Sequence, residues 1–338
     1  FCMSNELLFL LIVVGLAFLF EFINGFHDAA NSIASVVATG VLKPFQAVLW
    51  AAFFNFLAFF VFKLSVADTM GKGLIDGNII NTYFIMSALL GAIIFNLITW
   101  YFGLPSSSSH ALIGGLVGAA VAAGGLGALK YAGLLKVLAF VIISPLLGFA
   151  ISWIVMSFFL KVLKDPESAG TNKTSKGFQL VAAAMLSLGH GGNDAQKTMG
   201  IIAILLFSAG LLGKDFAVPF WVVIACYLVM ALGTLAGGWR IIHTMGRKIT
   251  PLNCLGGGCS SMAAATTIFI ANYFGIPMST THTVTGSISG VGSAAGGKGT
   301  NWHIMKKIFF AWAITIPCAA LIAAGFMLLH PLVVHFIH

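Results

Sequence analysis

Charge is scarce in this chain. Of 338 residues only 8% are Asp, Glu, Lys or Arg, against 59% hydrophobic, and the mean hydropathy is +1.02. Soluble domains carry about 25% charged residues, so a water-facing surface cannot be built from this composition. A soluble enzyme is excluded, and the expectation is an all-α integral membrane protein with many spans. The formal net charge of +8 does not point to nucleic acid, because the basic residues are scattered over short loops where membrane orientation accounts for them. Cysteine is also sparse. Cys2, Cys226, Cys254, Cys259 and Cys318 form no CxxC pair, and most lie in or beside apolar segments, so buried apolar roles are expected rather than a disulfide framework or metal site. Neither a GxSxG elbow nor an HExxH zinc motif occurs, which argues against an intramembrane hydrolase. No resident cofactor is expected. The opening FCMSNELLFLL has no basic n-region and contains Glu6, so no secretory signal is read there.

What is present is a duplication. YFGLPSSSSH (Tyr101 to His110) returns as YFGIPMSTTH (Tyr273 to His282), 172 positions later. NGFHDAANS (Asn24 to Ser32) returns as HGGNDAQKT (His190 to Thr198), with Asp28 and Asp194 166 positions apart. Two different motifs recurring in one order at nearly one offset signal an internal repeat. In a membrane protein, Gly/Pro-interrupted segments at corresponding places in two halves point to a transport site near the bilayer midplane.

The first half (1–160) reads as five apolar segments: 7–39, 44–65, 79–102, 111–125 and 134–160. The stretch 7–39 is too long and too polar for one plain span of ~20 residues, so a broken or extended helix is expected. A hydrophilic stretch, KVLKDPESAGTNKTSKG (161–177), reads as a cytoplasmic linker. Five segments recur in the second half (178–338): 178–212, 219–238, 252–274, 277–297 and 304–335. An odd number of crossings per half makes the repeats inverted, with broken or re-entrant half-helices at the centre. Placing the linker in the cytoplasm puts Lys43, Lys161, Lys164, Lys173, Lys176, Arg240, Arg247, Lys248, Lys298, Lys306 and Lys307 inside, and Lys63, Lys72, Lys130, Lys136 and Lys214 outside. Eleven against five obeys the positive-inside tendency.

Ionisable groups inside apolar segments are functional candidates by default, since each costs at least ~2.5–3.5 kcal/mol to insert. Here they are Glu21, Asp28, Asp194 and Lys197, besides histidines. Helical spacing groups Asp28, Asn31 and Ser32 on one face, and Asp194, Lys197 and Thr198 likewise. A carboxylate, an amide oxygen and a hydroxyl suit a hard cation in the first half. In the second half an ammonium, Lys197, stands where Asn31 stands in the first. Ser107, Ser108 and Ser109, and Ser279, Thr280 and Thr281, follow a helix-breaking proline and precede a new apolar segment. They are placed at half-helix N-termini, where free N–H groups and the positive dipole end accept an anion; simple N-capping is the plainer alternative. Two carboxylates beside an anion require accompanying cations, so coupled cation–anion symport is favoured, with a channel as the rival. His27, His190, His110 and His282 adjoin these groups and are candidate proton carriers.

At these residues the chain resembles the PiT family of inorganic phosphate transporters. The resemblance rests on EFINGFHDAANSIA (Glu21 to Ala34), GHGGNDAQKTMG (Gly189 to Gly200) and the two serine/threonine loops. It implies phosphate held between those loops by Ser107–Ser109 and Ser279–Thr281, with Asp28, Asn31 and Asp194 arranging the coupling cations. Joined to the reading of the residues themselves, the candidate substrate site is Ser107, Ser108, Ser109, Ser279, Thr280, Thr281, Asp28, Asp194 and Lys197, and the residues expected to manage a coupling proton or sodium ion are Asp28, Asn31, Asp194, Asn193, His27, His190 and Glu21. The NGFHD and NDxQK forms look more like the low-affinity bacterial branch, associated with proton-coupled uptake of neutral metal–phosphate complexes; sodium coupling and sulfate as substrate stay open. The resemblance also implies a homodimer in the lipid bilayer of a bacterial inner membrane.

Overall fold

The computed structural model describes residues 5–163, 172–213, 215–295 and 299–329. Among them there is no β-strand beyond one isolated bridge between Ile75 and Leu129. Six helices occupy the first half: α1 (Asn5–Ala38), α2 (Pro44–Leu57), α3 (Ser65–Lys72), α4 (Thr82–Tyr101), α5 (Ser108–Gly124) and α6 (Tyr131–Val162). Six follow in matching order: α7 (Lys173–Ser208), α8 (Phe220–Ala236), α9 (Trp239–His243), α10 (Cys254–Tyr273), α11 (Thr280–Ala294) and α12 (Trp302–Leu328). Helices α1, α4, α6, α10 and α12 are long and apolar enough to cross a membrane, and the bent pairs α2–α3 and α8–α9 raise the number to seven.

The duplication is written into the caps. Asn81 and Asn253 cap α4 and α10 through the backbone N–H groups of Phe84 and Gly256. Ser107 and Ser279 cap α5 and α11 through His110 and His282. Each cap is worth about 1 kcal/mol. Gly103 and Gly275 end α4 and α10 at φ of 63° and 61°, a left-handed conformation that glycine adopts without steric cost.

Of the broken or extended helix expected over 7–39, the structure has the extended one: α1 runs unbroken for 34 residues, and α7 for 36. Groups on neighbouring helices meet His27, Asp28 and the Asn31 amide there, so no break is needed. The segment 44–65 is not one span, because the chain turns by 83° between the α2 region and α3. The linker is shorter than 161–177, since α6 reaches Val162 and Asn172 caps α7 through Ser175. Its central residues, including Lys164, lie outside the described residues, as do Lys214, Lys298 and the chain beyond 329.

The halves are interleaved. The hairpin α4–α5 packs on α12, and the hairpin α10–α11 packs on α6. Glycines make this close approach possible. A Cβ on Gly114 or Gly118 would lie 2.6 Å from the Ile316 carbonyl oxygen or 2.0 Å from that of Ala320; on Gly286 or Gly290 it would lie 2.2 Å from Pro145 O or 2.3 Å from Phe149 O. These are small-xxx-small contacts, the means by which helices associate where no hydrophobic force separates protein from lipid. The outcome is that both hairpin tips, buried from Pro105 and from Gly275 onward, meet the middle of α1 and α7.

Candidate functional site

The two aspartate motifs lie within α1 and α7, and the two serine/threonine clusters open α5 and α11. Asp28 accepts hydrogen bonds from Ser108 Oγ (2.7 Å, to Oδ2) and Thr281 Oγ1 (3.3 Å, to Oδ1). Asp194 accepts from Thr280 Oγ1 (3.0 Å, to Oδ2) and from Lys197 Nζ (2.5 Å, to Oδ1). The connections also cross between halves. Asn31 Nδ2 of α1 donates to Thr280 and Thr281 Oγ1 at the head of α11, at 3.2 and 3.0 Å. Lys197 of α7 donates to Ser109 Oγ at the head of α5 and to Met278 O (2.7 Å). None of these side chains is more than 3% exposed, so the cradle is closed to both sides.

Eight of the residues singled out from sequence therefore converge: Asp28, Asn31, Ser108, Ser109, Asp194, Lys197, Thr280 and Thr281. The others stand one step back. Ser107 and Ser279 spend their side-chain oxygens as N-caps, which leaves the next two hydroxyls of each cluster to face the aspartates and Lys197. His27 bonds Asp28 Oδ1 through Nδ1 (2.9 Å) and reaches Thr99 Oγ1 (3.2 Å) and Ser106 Oγ (3.4 Å) through Nε2. Asn193 stands at the matching place in α7; it donates to Asn272 Oδ1 (2.6 Å) and Ile276 O (3.2 Å) and accepts from Met278 N–H (3.3 Å). His27 and Asn193 thus fasten the two hairpin tips. His190 Nδ1 lies 3.2 Å from Asn55 Oδ1, and its Nε2 3.2 Å from Asp194 Oδ2.

Glu21 stays outside the cradle, two turns along α1 from Asp28, and accepts from Thr198 Oγ1. His110 and His282 meet edge to face at 4.4 Å, and His282 stacks on Trp312 at 3.7 Å. His282 Nδ1 lies 3.5 Å from Val141 O, a carbonyl that Pro145 leaves without its helical donor. Trp312 Nε1 donates to Pro105 O (3.1 Å), tying α12 to the first tip.

Sequence reasoning passed over Asn24, whose Oδ1 lies 2.6 Å from Ser108 Oγ and competes with Asp28 for its one proton. Its position offered the signal, one turn before Asp28 and 166 places before His190. Thr99, Asn272 and the Met278 carbonyl carried none, because only the hairpin fold brings them to the aspartate motifs.

Chemically the cradle holds two carboxylates, one ammonium, four hydroxyls and two helix N-termini. The hydroxyls and N-termini suit a tetrahedral oxyanion. Asp28, His190 and Asp194 each place one ligand atom within 4.8 Å of the others, a set able to hold a cation, and Asn31 Oδ1 and Ser32 Oγ are buried without partners.

Known proteins resemble this chain over nearly its whole length. A model of the phosphate transporter family matches residues 24–175 and 161–323. A probable low-affinity inorganic phosphate transporter of Rhizobium meliloti is 52% identical over 324 residues, covering 95% of this chain and 97% of its own. One from Bacillus subtilis is 43% identical with the same coverage. A solved structure described as the sodium-dependent phosphate transporter superposes with a TM-score of 0.85 at 26% identity, over 96% of this chain and 99% of that one. This chain belongs to the phosphate transporter family.

Proposed function

We propose that this protein is a symporter that carries inorganic phosphate across a bacterial inner membrane together with a cation, by alternating access. The observation that carries the reading is the crossed, closed cradle: Ser108, Ser109, Thr280 and Thr281 at two helix N-termini, within hydrogen-bond reach of Asp28, Asp194 and Lys197. The N-termini and hydroxyls bind the oxyanion, and Lys197 supplies a fixed positive charge. Two carboxylates against one ammonium leave the cradle net negative, so an anion enters only with further positive charge. That balance demands a coupling cation, either a proton or a metal ion travelling with phosphate.

The carboxylates also discriminate among tetrahedral anions. A carboxylate only accepts hydrogen bonds. Hydrogen phosphate has a proton to donate to Asp28 or Asp194, whereas sulfate has none at neutral pH. Phosphate is therefore the better partner. A channel fits less well, because the cradle is sealed from both sides by buried side chains. Sodium coupling is a second reading, favoured by the unpartnered oxygens of Asn31 and Ser32 beside Asp28 and by the sodium-dependent structural relative. The two sequence repeats act as halves of one rocking unit, interleaved through α6 and α12. A homodimer is part of this reading, with the exposed Phe53 and Phe60 of the α2 region available to a second copy or to lipid.

Uptake of radiolabelled phosphate into proteoliposomes tests the reading, with a pH gradient, a sodium gradient and added Mg²⁺ applied separately and sulfate as competitor. Gradient-driven phosphate accumulation, weakly inhibited by sulfate, is expected. Sulfate uptake without phosphate uptake would keep the fold and overturn the substrate.

A further inference from the structure

Glu21 is completely buried, yet it belongs to no ion pair among the described residues. One carboxyl oxygen meets Thr198 Oγ1 of α7 and the other, Oε1, has no hydrogen-bond partner. The groups that face it are few. Asp194 and Lys197 approach from α7, Cys226 and Tyr227 from α8, and Asn24 lies one turn along its own helix. A carboxylate without an ion-pair partner is among the costliest groups a protein can bury. A metal ion would need several ligands, and among the described residues Glu21 belongs to no group of three His, Cys, Asp or Glu side chains able to hold one.

The repeat sharpens the point. Ser187 occupies the position in α7 that Glu21 occupies in α1, and Ser32 matches Thr198. Ser187 bonds its own helix at Ala183 O, and Ser32 Oγ is left without a partner. The symmetric contact is therefore simple polar packing in one half and a carboxyl–hydroxyl pair in the other. Only one half carries a titratable group there.

We infer that Glu21 is a proton-carrying site at the α1–α7 contact, separate from the phosphate cradle and linked to it through Asn24 and Thr198. This rests on the phosphate symport reading and names the coupled ion and its carrier. In the cycle, Oε1 takes a proton from water on the side from which phosphate enters, forming an O–H bond. That bond breaks and returns the proton to water on the other side after phosphate leaves. Thr198 adjoins Lys197, and Asn24 shares Ser108 with Asp28. An anion arriving among those groups adds negative charge near Glu21 and favours its protonated form; protonation favours anion binding by the same factor, typically ~5–150-fold between coupled sites.

The test compares wild type and Glu21→Gln in proteoliposomes, measuring phosphate–phosphate exchange without a gradient and accumulation driven by a pH gradient. Exchange is expected to persist in Glu21→Gln, which mimics the protonated group, while pH-driven accumulation is lost. A folded Glu21→Gln protein that still accumulates phosphate on a pH gradient, or that loses exchange as well, overturns the inference. Infrared difference spectra of the unsubstituted site guard against a misfolded variant. Glu6, Glu21 and Glu167 are the chain's three glutamates, so carbon-13 glutamate in a Glu6→Gln/Glu167→Gln background labels Glu21 alone. A protonated-carboxyl band that responds to phosphate supports the site, and its absence removes it. Wild-type protein that exchanges no phosphate would sink the symport reading, whereas accumulation driven only by a sodium gradient would sink the proton carrier alone.

Discussion

Replacing Lys197 with methionine removes the one fixed positive charge in the cradle and keeps most of the side-chain volume. Lys197 is 2% exposed, lies 2.5 Å from Asp194 Oδ1, and also donates to Ser109 Oγ and Met278 O. At such burial, solvent screening gives little relief. Breaking a buried pair by removing one partner costs about 3–5 kcal/mol, because the remaining charge is left uncompensated. The loss falls on two quantities. Stability drops by that amount as Asp194 loses its partner, and phosphate binding drops separately, by about one to two powers of ten for a lost charge-assisted contact of ~1.5–3 kcal/mol at ~1.4 kcal/mol per tenfold. Calorimetric phosphate titration of purified protein reads the second, and thermal unfolding in detergent reads the first. The double variant Asp194→Asn/Lys197→Met separates the causes. With both charges gone, most of the stability is expected to return, since the two sites touch and their effects are not additive. Phosphate binding is not expected to return. Lys197→Met protein that binds and transports phosphate as wild type does would refute the role of the ammonium, and a double variant less stable than either single one would refute the pairing.

Other outcomes follow from the same geometry. Lys197→Asn recreates the Asn31 arrangement in the second half, and uptake in that variant is expected to acquire a dependence on an added monovalent cation. Asp28→Asn keeps the fold but strips an acceptor shared by Ser108, Thr281 and His27; gradient-driven uptake should be lost while the melting curve changes little. Gly118→Ala places a Cβ 2.0 Å from Ala320 O, so the hairpin must move off α12, at about 1–3 kcal/mol or more of overpacking in thermal stability. Ser107→Ala and Ser279→Ala each remove an N-cap, for about 1 kcal/mol of stability; circular dichroism melts should show similar shifts for the two.

Much of the site was legible in the linear pattern because the repeat printed it twice. A single SSSSH reads equally as a helix cap, and Ser107 and Ser279 do cap helices. The second copy raised its neighbours to candidates, and Ser108, Ser109, Thr280 and Thr281 do turn to the aspartates and Lys197. Helical spacing also placed Asp28 with Asn31 and Asp194 with Lys197, since i and i+3 share a face. The same spacing put Thr198 with them, and there it went too far, since Thr198 turns to Glu21. Periodicity assigns a residue to a stripe about a third of the helix wide, and the neighbouring helix decides where within that stripe it points.

Composition, the two motifs and their offsets were sufficient to determine an all-helical membrane protein, its duplicated plan and the side chains with chemistry to offer. Each of those properties is local, or repeats at a fixed interval, so it survives in one dimension. Tertiary structure alone decided the crossing of partners. Asn31 reaches the cluster of the other half and so does Lys197, while the hairpins exchange the long helices they rest on. Those pairings join residues as much as 250 positions apart, and they depend on how closely glycine-lined helices approach, which no periodicity records.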